Sequence, residues 1–388
     1  MDIRTFSGGK EGLPPGACGL LTVIGRFNLG NVLNAAQCLQ YRGRTGAGLT
    51  IKGVYPYEAD NLFHFHIMFR DPSMITELEG VLKNWGWQFE EKNPLIQKKW
   101  YNEYDMPKMF HYHVTTPPAE DMLYTDQISD PMMFIRKKVT EFNTRYLDDA
   151  RIFSSGQDMG TFLTAFQLDD TIKIFDIYQY SDRDLSSVQV HMRWPTSSGR
   201  GLWWGPQPIA LGNVSGTHNG HLSSDKSNAM ALEQLGIPLH VGTDSEALFK
   251  EINYLVCGGY SLQEMEWIIS RKFPDEVALM TDENRERYTD LTSDPILNRF
   301  KISGPTTAIV QIDDLVIALT DRDHLRPFTI GTNDRVTLLA SEERAVVAAA
   351  FAMGEDVKIF NPDAGKLVAF KINNGVPERL AYEWKKTA

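Results

Sequence analysis

Long apolar runs are missing from this sequence. No stretch of its 388 residues approaches the roughly 20 apolar residues that a bilayer-spanning helix needs. Residues 1–17 carry charges and glycines with no apolar centre, so they do not read as a secretory signal. Cysteine is scarce. Cys18, Cys38 and Cys257 are widely spaced, which excludes a disulfide framework and the clustered spacing of zinc or iron–sulfur ligands. A reduced, cytoplasmic setting is the expectation. Positive charge is in deficit, with 39 Lys and Arg against 50 Asp and Glu and a net charge of −11. That balance disfavours nonspecific binding to nucleic acid or to an anionic membrane. Neither a Walker-type loop nor a Gly-x-Gly-x-x-Gly after a strand is present, so no dedicated nucleotide site is indicated. What remains is the make-up of an ordinary globular chain, long enough to bury one large or two ordinary cores.

Residues 18–53 read as strand, helix, strand, with the helix at about 31–40. The character changes from about 57 to 149. Leu62 to Phe69 alternates, with His64, His66 and Met68 on one side and Phe63, Phe65, Ile67 and Phe69 on the other. A helical stretch follows at 74–85, and a second strand-then-helix pair recurs at 110–114 and 131–146. This predicts a small ferredoxin-like insertion. The main pattern resumes at Ala150, with helices expected at 225–235, 244–255, 261–271, 281–300 and 342–353. The last third is strand-rich, at 306–310, 315–319, 336–339 and 357–372. Runs of strands alternating with runs of helices argue for stacked sheets covered by helices.

Chemistry concentrates at a few points. Cys18 lies in Pro14-Pro15-Gly16-Ala17-Cys18-Gly19, where a strand-incompatible leader meets the apolar run Leu20 to Ile24. A cysteine nucleophile needs a proton acceptor. Cutting the Ala17–Cys18 bond would give Cys18 a free α-amine with a pKa of about 8, a base carried by the nucleophile itself. Attack on an amide carbonyl creates an oxyanion, for which the Asn219 side chain and the Gly220 backbone offer donors. Arg193 would grip an α-carboxylate by its fork, and Asp244, placed at the expected N-cap of a helix, would receive an α-ammonium. Each feature also has a plainer reading: an inert buried cysteine, a tight Asn-Gly turn, an ion-paired surface arginine and a helix cap.

As a set, Cys18-Gly19, Gln40-Tyr41-Arg42-Gly43 with Gly48, Arg193-Trp194-Pro195-Thr196, Gln207-Pro208, His218-Asn219-Gly220 and Thr243-Asp244-Ser245-Glu246 resemble the class II glutamine amidotransferases, which are N-terminal-nucleophile hydrolases. Further stretches resemble the separate glutaminase subunit of glutamate synthase: Ile152 to Gly156, Met159-Gly160, Trp203-Trp204-Gly205, Gly304-Pro305, Thr320-Asp321-Arg322, Leu325-Arg326-Pro327 and Ala340 to Glu343. The resemblance covers about 18–56 and 150–375. It implies an α+β fold, the four-layer αββα sandwich of that class, spanning 18–388 with a small α/β subdomain inserted at about 57–149. Residues 1–17 become a leader whose removal exposes Cys18.

By the same resemblance Cys18 is the nucleophile and Asn219 with Gly220 forms the oxyanion hole. Arg193, Trp194, Thr196 and Asp244 bind substrate, and Arg42 supports the pocket. Tyr41 stands where the family commonly has histidine. Glutamine is the implied substrate and ammonia the product passed on. No cofactor is expected in this chain. The implied partner is a separate synthase subunit carrying FMN and iron–sulfur centres, in a hetero-oligomer. The subunit of N-methylglutamate synthase is the enzymatic alternative, and an unprocessed glutamine-binding or assembly subunit the non-catalytic one. A generic N-terminal-nucleophile hydrolase fits less well, because Arg193 and Asp244 together suit a free α-amino acid. The His64/His66 and His111/His113 pairs are expected to line a half-exposed sheet. No neighbouring cysteine or acidic pattern completes a metal set.

Overall fold

The computed structural model describes residues 17–43, 45–146, 148–194, 203 and 205–386. Its strands, in chain order, are β1 (Gly19–Gly25), β2 (Ala47–Lys52), β3 (Leu62–Phe69), β4 (Gln88–Pro94), β5 (Lys108–Thr115), β6 (Ala150–Gly156), β7 (Met159–Thr164), β8 (Ser187–Met192) and β9 (Ile209–Leu211). They continue with β10 (Val214–Gly220), β11 (Thr306–Ile312), β12 (Leu315–Thr320), β13 (Thr329–Thr332), β14 (Val336–Ala340), β15 (Lys358–Phe360), β16 (Leu367–Asn373) and β17 (Val376–Arg379). Three antiparallel sheets result, ordered β15-β13-β14-β1-β8-β2-β7, β17-β16-β12-β11-β10-β9 and β4-β5-β3-β6.

Alternation along the strands sorts side chains between two environments. On β1, Leu21 and Val23 pack with Leu29, Val32 and Leu33 of the helix Leu29–Ala36 and with Val346 and Ala349 of the helix Glu343–Met353. Ile24, on the opposite face, packs against Ile309, Val316 and Ala318 of the six-stranded sheet. The two large sheets therefore face each other. The outer face of the six-stranded sheet is covered by the helices Asp225–Gln234, Asp244–Cys257 and Leu262–Ile269, through residues such as Leu232, Leu248, Ile252 and Ile268.

Part of the gap between these sheets is polar. Register places Thr22, Gln189, Thr50 and Thr161 in one row across the seven-stranded sheet. Thr50 and Thr161 share a hydrogen bond of 2.8 Å. Ser187 donates to Gln311 across the gap at 2.7 Å, and Ser215 donates to Gln189 at 2.8 Å. Buried polar atoms need such partners, each bond contributing about 1 kcal/mol net and fixing how the sheets align.

Apart from the one-turn helix Trp100–Glu103 between its second and third strands, the inserted region has the order strand, helix, strand, strand, helices, strand, with its strands spatially ordered second, third, first, fourth. That is the βαββαβ arrangement predicted from the recurring pattern. Its fourth strand is β6, beyond residue 149. One face of this sheet carries Phe63, Phe65, Ile67 and Tyr112 against Leu78, Leu82, Phe134 and Phe142 of its helices. No helix among the described residues is long and apolar enough to cross a membrane.

Candidate active site

Cys18 immediately precedes β1, at the end where β8 finishes: Gly19 pairs with Met192 and Leu20 with His191. The backbone of Trp194 holds the thiol. Trp194 N–H donates to Sγ at 3.3 Å, and the thiol donates to the Trp194 carbonyl at 3.7 Å. Arg42 Nε donates to the Cys18 carbonyl oxygen at 3.0 Å. The guanidinium of Arg42 also pairs with Glu342, which accepts from the Tyr41 hydroxyl and from Arg344 Nε at 2.6 Å. Tyr41 thus has a partner in Glu342. Ser341 completes the frame, its hydroxyl accepting from Leu20 N–H at 3.1 Å.

Arg193 leaves β8 with its N–H donating to the Gly46 carbonyl at 2.8 Å. Gly205 lies flat on its guanidinium, where a Cβ would come within 2.5 Å of the carbon and a nitrogen of the fork. Only glycine permits that approach. Burial pushes the Cys18 thiol up from its usual pKa, while the Trp194 hydrogen bond and the charges of Arg193, Arg326 and Arg42 oppose the rise without cancelling it. In the intact chain the thiol is therefore protonated at neutral pH.

Arg326 is a cation to which sequence reasoning gave no role. It follows β12 in the chain, and its charge reaches both Cys18 and His218. Only the fold brings these segments together. The motif Leu325-Arg326-Pro327 was the available signal.

Across the gap, β10 alternates. Gly216 and His218 point to the helix Asp244–Cys257, where His218 Nδ1 meets Ser245 Oγ at 3.0 Å. Asn219 points the other way, toward the facing sheet. It is 1% exposed, and neither its amide nitrogen nor its oxygen has a hydrogen-bond partner. An unpaired buried amide costs on the order of 1–3 kcal/mol, a cost a site can bear where a ligand supplies the partner. Gly220 follows because a Cβ there would lie 2.0 Å from the Pro305 carbonyl oxygen.

His191 also faces this gap, fully buried, and burial holds its pKa down to about 3 with Arg193 adding to the effect. It interacts with the backbone of His218, which locates the end of β8 beside the end of β10. No histidine hydrogen-bonds the Cys18 thiol among the described residues.

The segment 242–246 divides its tasks. The N-cap is Thr243, whose hydroxyl accepts from Glu246 N–H at 3.2 Å, so Asp244 is the first helical residue rather than the cap. Thr243 wins because its backbone is extended, at φ −98° and ψ 154°, the conformation a cap requires. Asp244 accepts from Leu222 N–H at 3.0 Å and Ser245 N–H at 2.8 Å, and its carboxylate is 3.9 Å from His221 Nδ1. Lone pairs remain for another donor. Glu246 turns inward and accepts from the N–H groups of His240, Val241 and Gly242 at 3.0, 2.8 and 2.9 Å. Lys250 lies 2.8 Å from it. Burial pushes this carboxyl up, but Lys250, His240 and the backbone donor override it and bring it down to about 2.

Of the residues predicted for the site, Cys18, Arg42, Arg193 and Trp194 gather where β1 begins and β8 ends, while Asn219 and Gly220 end the facing strand β10 and Asp244 opens the helix outside it. Thr196 and the leader up to residue 16 lie outside the described residues.

No family model matches the sequence. An uncharacterised protein of Archaeoglobus fulgidus is 27% identical over 369 residues, covering 92% of this chain and 93% of that protein. Among solved structures, the chain is similar to the glutamine phosphoribosylpyrophosphate amidotransferase from B. subtilis, at 13% identity and a TM-score of 0.43. That match covers 94% of this chain and 49% of the other, so the chain spans about half the length of that relative. A predicted glutamine amidotransferase from Pseudomonas aeruginosa is 12% identical with a TM-score of 0.27, covering 94% of this chain and all of the other, at 100%. Likenesses this distant leave the chemistry to be argued from the residues themselves.

Proposed function

We propose that the protein is a glutamine-hydrolysing amidotransferase subunit with Cys18 as its N-terminal nucleophile. One observation carries the reading: the charge of Arg326 reaches both the Cys18 thiol and His218, whose neighbour Asn219 has a buried, unbonded amide. The facing sheets with helices outside are read as the αββα sandwich of the N-terminal-nucleophile class. Release of the bond to Ala17 frees an α-amine at Cys18. Arg193, Arg326 and Arg42 disfavour a further positive charge there, which moves the amine below its ordinary pKa of about 8 and leaves it a neutral base near pH 7.

The sequence of steps then balances. Sγ attacks the side-chain amide carbon of glutamine as the α-amine takes the thiol proton. Asn219 and the Gly220 N–H hold the oxyanion. The ammonium returns its proton to the leaving nitrogen, the carbon–nitrogen bond breaks, and ammonia departs from a thioester. Water, deprotonated by the same amine, releases glutamate and the thiol. Arg193 grips the α-carboxylate and Asp244 the α-ammonium, with Trp194 and, by the sequence resemblance alone, Thr196 as further substrate-binding residues.

Ammonia passes to a partner synthase on a separate chain, of the glutamate synthase type with FMN and iron–sulfur centres, or of the N-methylglutamate synthase type. A second reading has its own observation. While Ala17 remains attached and buried beside Cys18, the nucleophile has no free amine and the pocket only binds. Assay of glutamine hydrolysis separates the two. Active wild type and a Cys18→Ala variant without measurable turnover support the enzyme; equal ammonia release by both contradicts it.

A further inference from the structure

Outside this site, the inserted sheet holds a cluster that the glutamine chemistry does not use. Register pairs His64 with His113 and His66 with His111 across β3 and β5, so four imidazoles share the face opposite the Phe63/Phe65 core. The expectation of a half-exposed sheet holds for β5, where His111 and His113 are half-buried, but not for β3, where His64 is 1% exposed and His66 fully buried. Tyr55, from the segment after β2, lies against them. Its ring stacks on His64 at 4.1 Å and 14° and on His111 at 4.6 Å and 17°.

The four differ in what they have free. His66 is fully engaged, with Nε2 at 2.6 Å from the Tyr55 hydroxyl and Nδ1 at 2.6 Å from the Thr161 carbonyl. The other three each turn a ring nitrogen inward, none more than 4.8 Å from the others. His64 Nδ1 and His111 Nε2 are already 3.0 Å apart. Tetrahedral zinc, with nitrogen ligands at about 2.0–2.1 Å, needs nitrogens about 3.3 Å from each other. The pair is near chelating distance, and half-buried His113 offers its nitrogen within 4.8 Å of both. His64 Nε2 is buried without a full hydrogen bond, although the Pro56 carbonyl acts on the ring as an acceptor. A backbone carbonyl is the usual outer partner of a metal-bound imidazole.

We propose that His64, His111 and His113 bind one divalent cation of the imidazole-preferring class, with Zn2+ the best fit and water as fourth ligand. The set offers three neutral nitrogens and no oxygen or thiolate, which selects against Mg2+ and Ca2+. On entry of the cation the proton held between His64 Nδ1 and His111 Nε2 moves to the outer nitrogen of the ring that carried it, leaving both rings neutral and both inner nitrogens free to bind. The bound ion ties β3 to β5 beneath Tyr55, and the inference stands independently of the glutaminase reading.

The test is titration of the metal-free full chain with Co2+ as a coloured stand-in for Zn2+. One equivalent should bind with the visible absorption of a tetrahedral nitrogen-rich site, and Zn2+ should displace it. His111→Asn and His113→Asn should each weaken binding at least ~100-fold, and Cys18→Ala should leave it unchanged. X-ray absorption of the zinc-loaded wild type, which needs no variant to fold, should show three imidazole nitrogens. Absence of stoichiometric binding, wild-type affinity in both histidine variants, loss of the band in Cys18→Ala, or sulfur in the zinc shell would each overturn the proposal.

Discussion

Arg42 connects Cys18, the proposed nucleophile, to the far end of the chain: its Nε donates to the Cys18 carbonyl at 3.0 Å while its fork pairs with Glu342. The arginine holds Cys18 by the backbone and leaves the thiol free. Lysine cannot reach two acceptors with one planar group. Arg42→Lys should therefore lower kcat for glutamine hydrolysis by about 10- to 100-fold through misplacement of the thiol. KM should change little, which steady-state kinetics will show.

Asn219 carries an unusual signature for a mutation. Its buried amide makes no bond in the free protein, so Asn219→Ala removes an unsatisfied group. Thermal stability should hold or rise slightly, while kcat falls on the order of 10²- to 10³-fold. Melting curves and kinetics on the same preparation check both halves.

The pH dependence follows from the surroundings of Cys18. Cations favour a neutral amine, so the acidic limb of kcat/KM should have an apparent pKa below about 8. Activity rises through that value as pH increases and the base loses its proton. Substituting Arg326, which acts on Cys18 through its charge, by Gln should move the limb to higher pH. A pH–rate profile of the two proteins measures the shift.

Glu246 supports the loop that presents Asp244. Its folded pKa of about 2 lies below the ordinary value of 4.5. The stability it confers is complete above 4.5 and disappears as pH falls through 2. Glu246→Gln leaves the half-buried Lys250 with the Pro238 carbonyl but no opposite charge, and should cost about 3 kcal/mol near neutral pH. The difference from wild type should shrink in acid, as denaturation at several pH values would reveal.

Much of this was legible in the chain. Alternation from Leu62 to Phe69 separated the aromatic face from the histidine face because side-chain period alone decides it. Helices such as Pro131–Tyr146 and Asp225–Gln234 fell where their apolar spacing placed them. The strand Gln88–Pro94 was not visible, since Glu90, Glu91 and Lys92 give no apolar alternation and its formation depends on pairing with β5. The short strand Thr329–Thr332 escaped for a similar reason: four residues are too few for a period, and β14 and β15 on either side define it.

At the candidate site, sequence supplied the residue types and the fold supplied their relations. Nothing local to Arg326 indicates that its charge reaches Cys18. Similarly, the His-x-His pairs were plain in the sequence, but the occupation of His66 by Tyr55 and Thr161 was not, because those partners lie 11 and 95 residues away. Thr243 and Asp244 are both able caps, and only the backbone angles chose between them.

The central claim is that Cys18 acts with its own α-amine. Intact-mass measurement and N-terminal sequencing of protein that is actively hydrolysing glutamine test it most directly. Such protein should begin at Cys18, with turnover proportional to the processed fraction. Full glutaminase activity in protein still carrying Ala17 and the residues before it would contradict it.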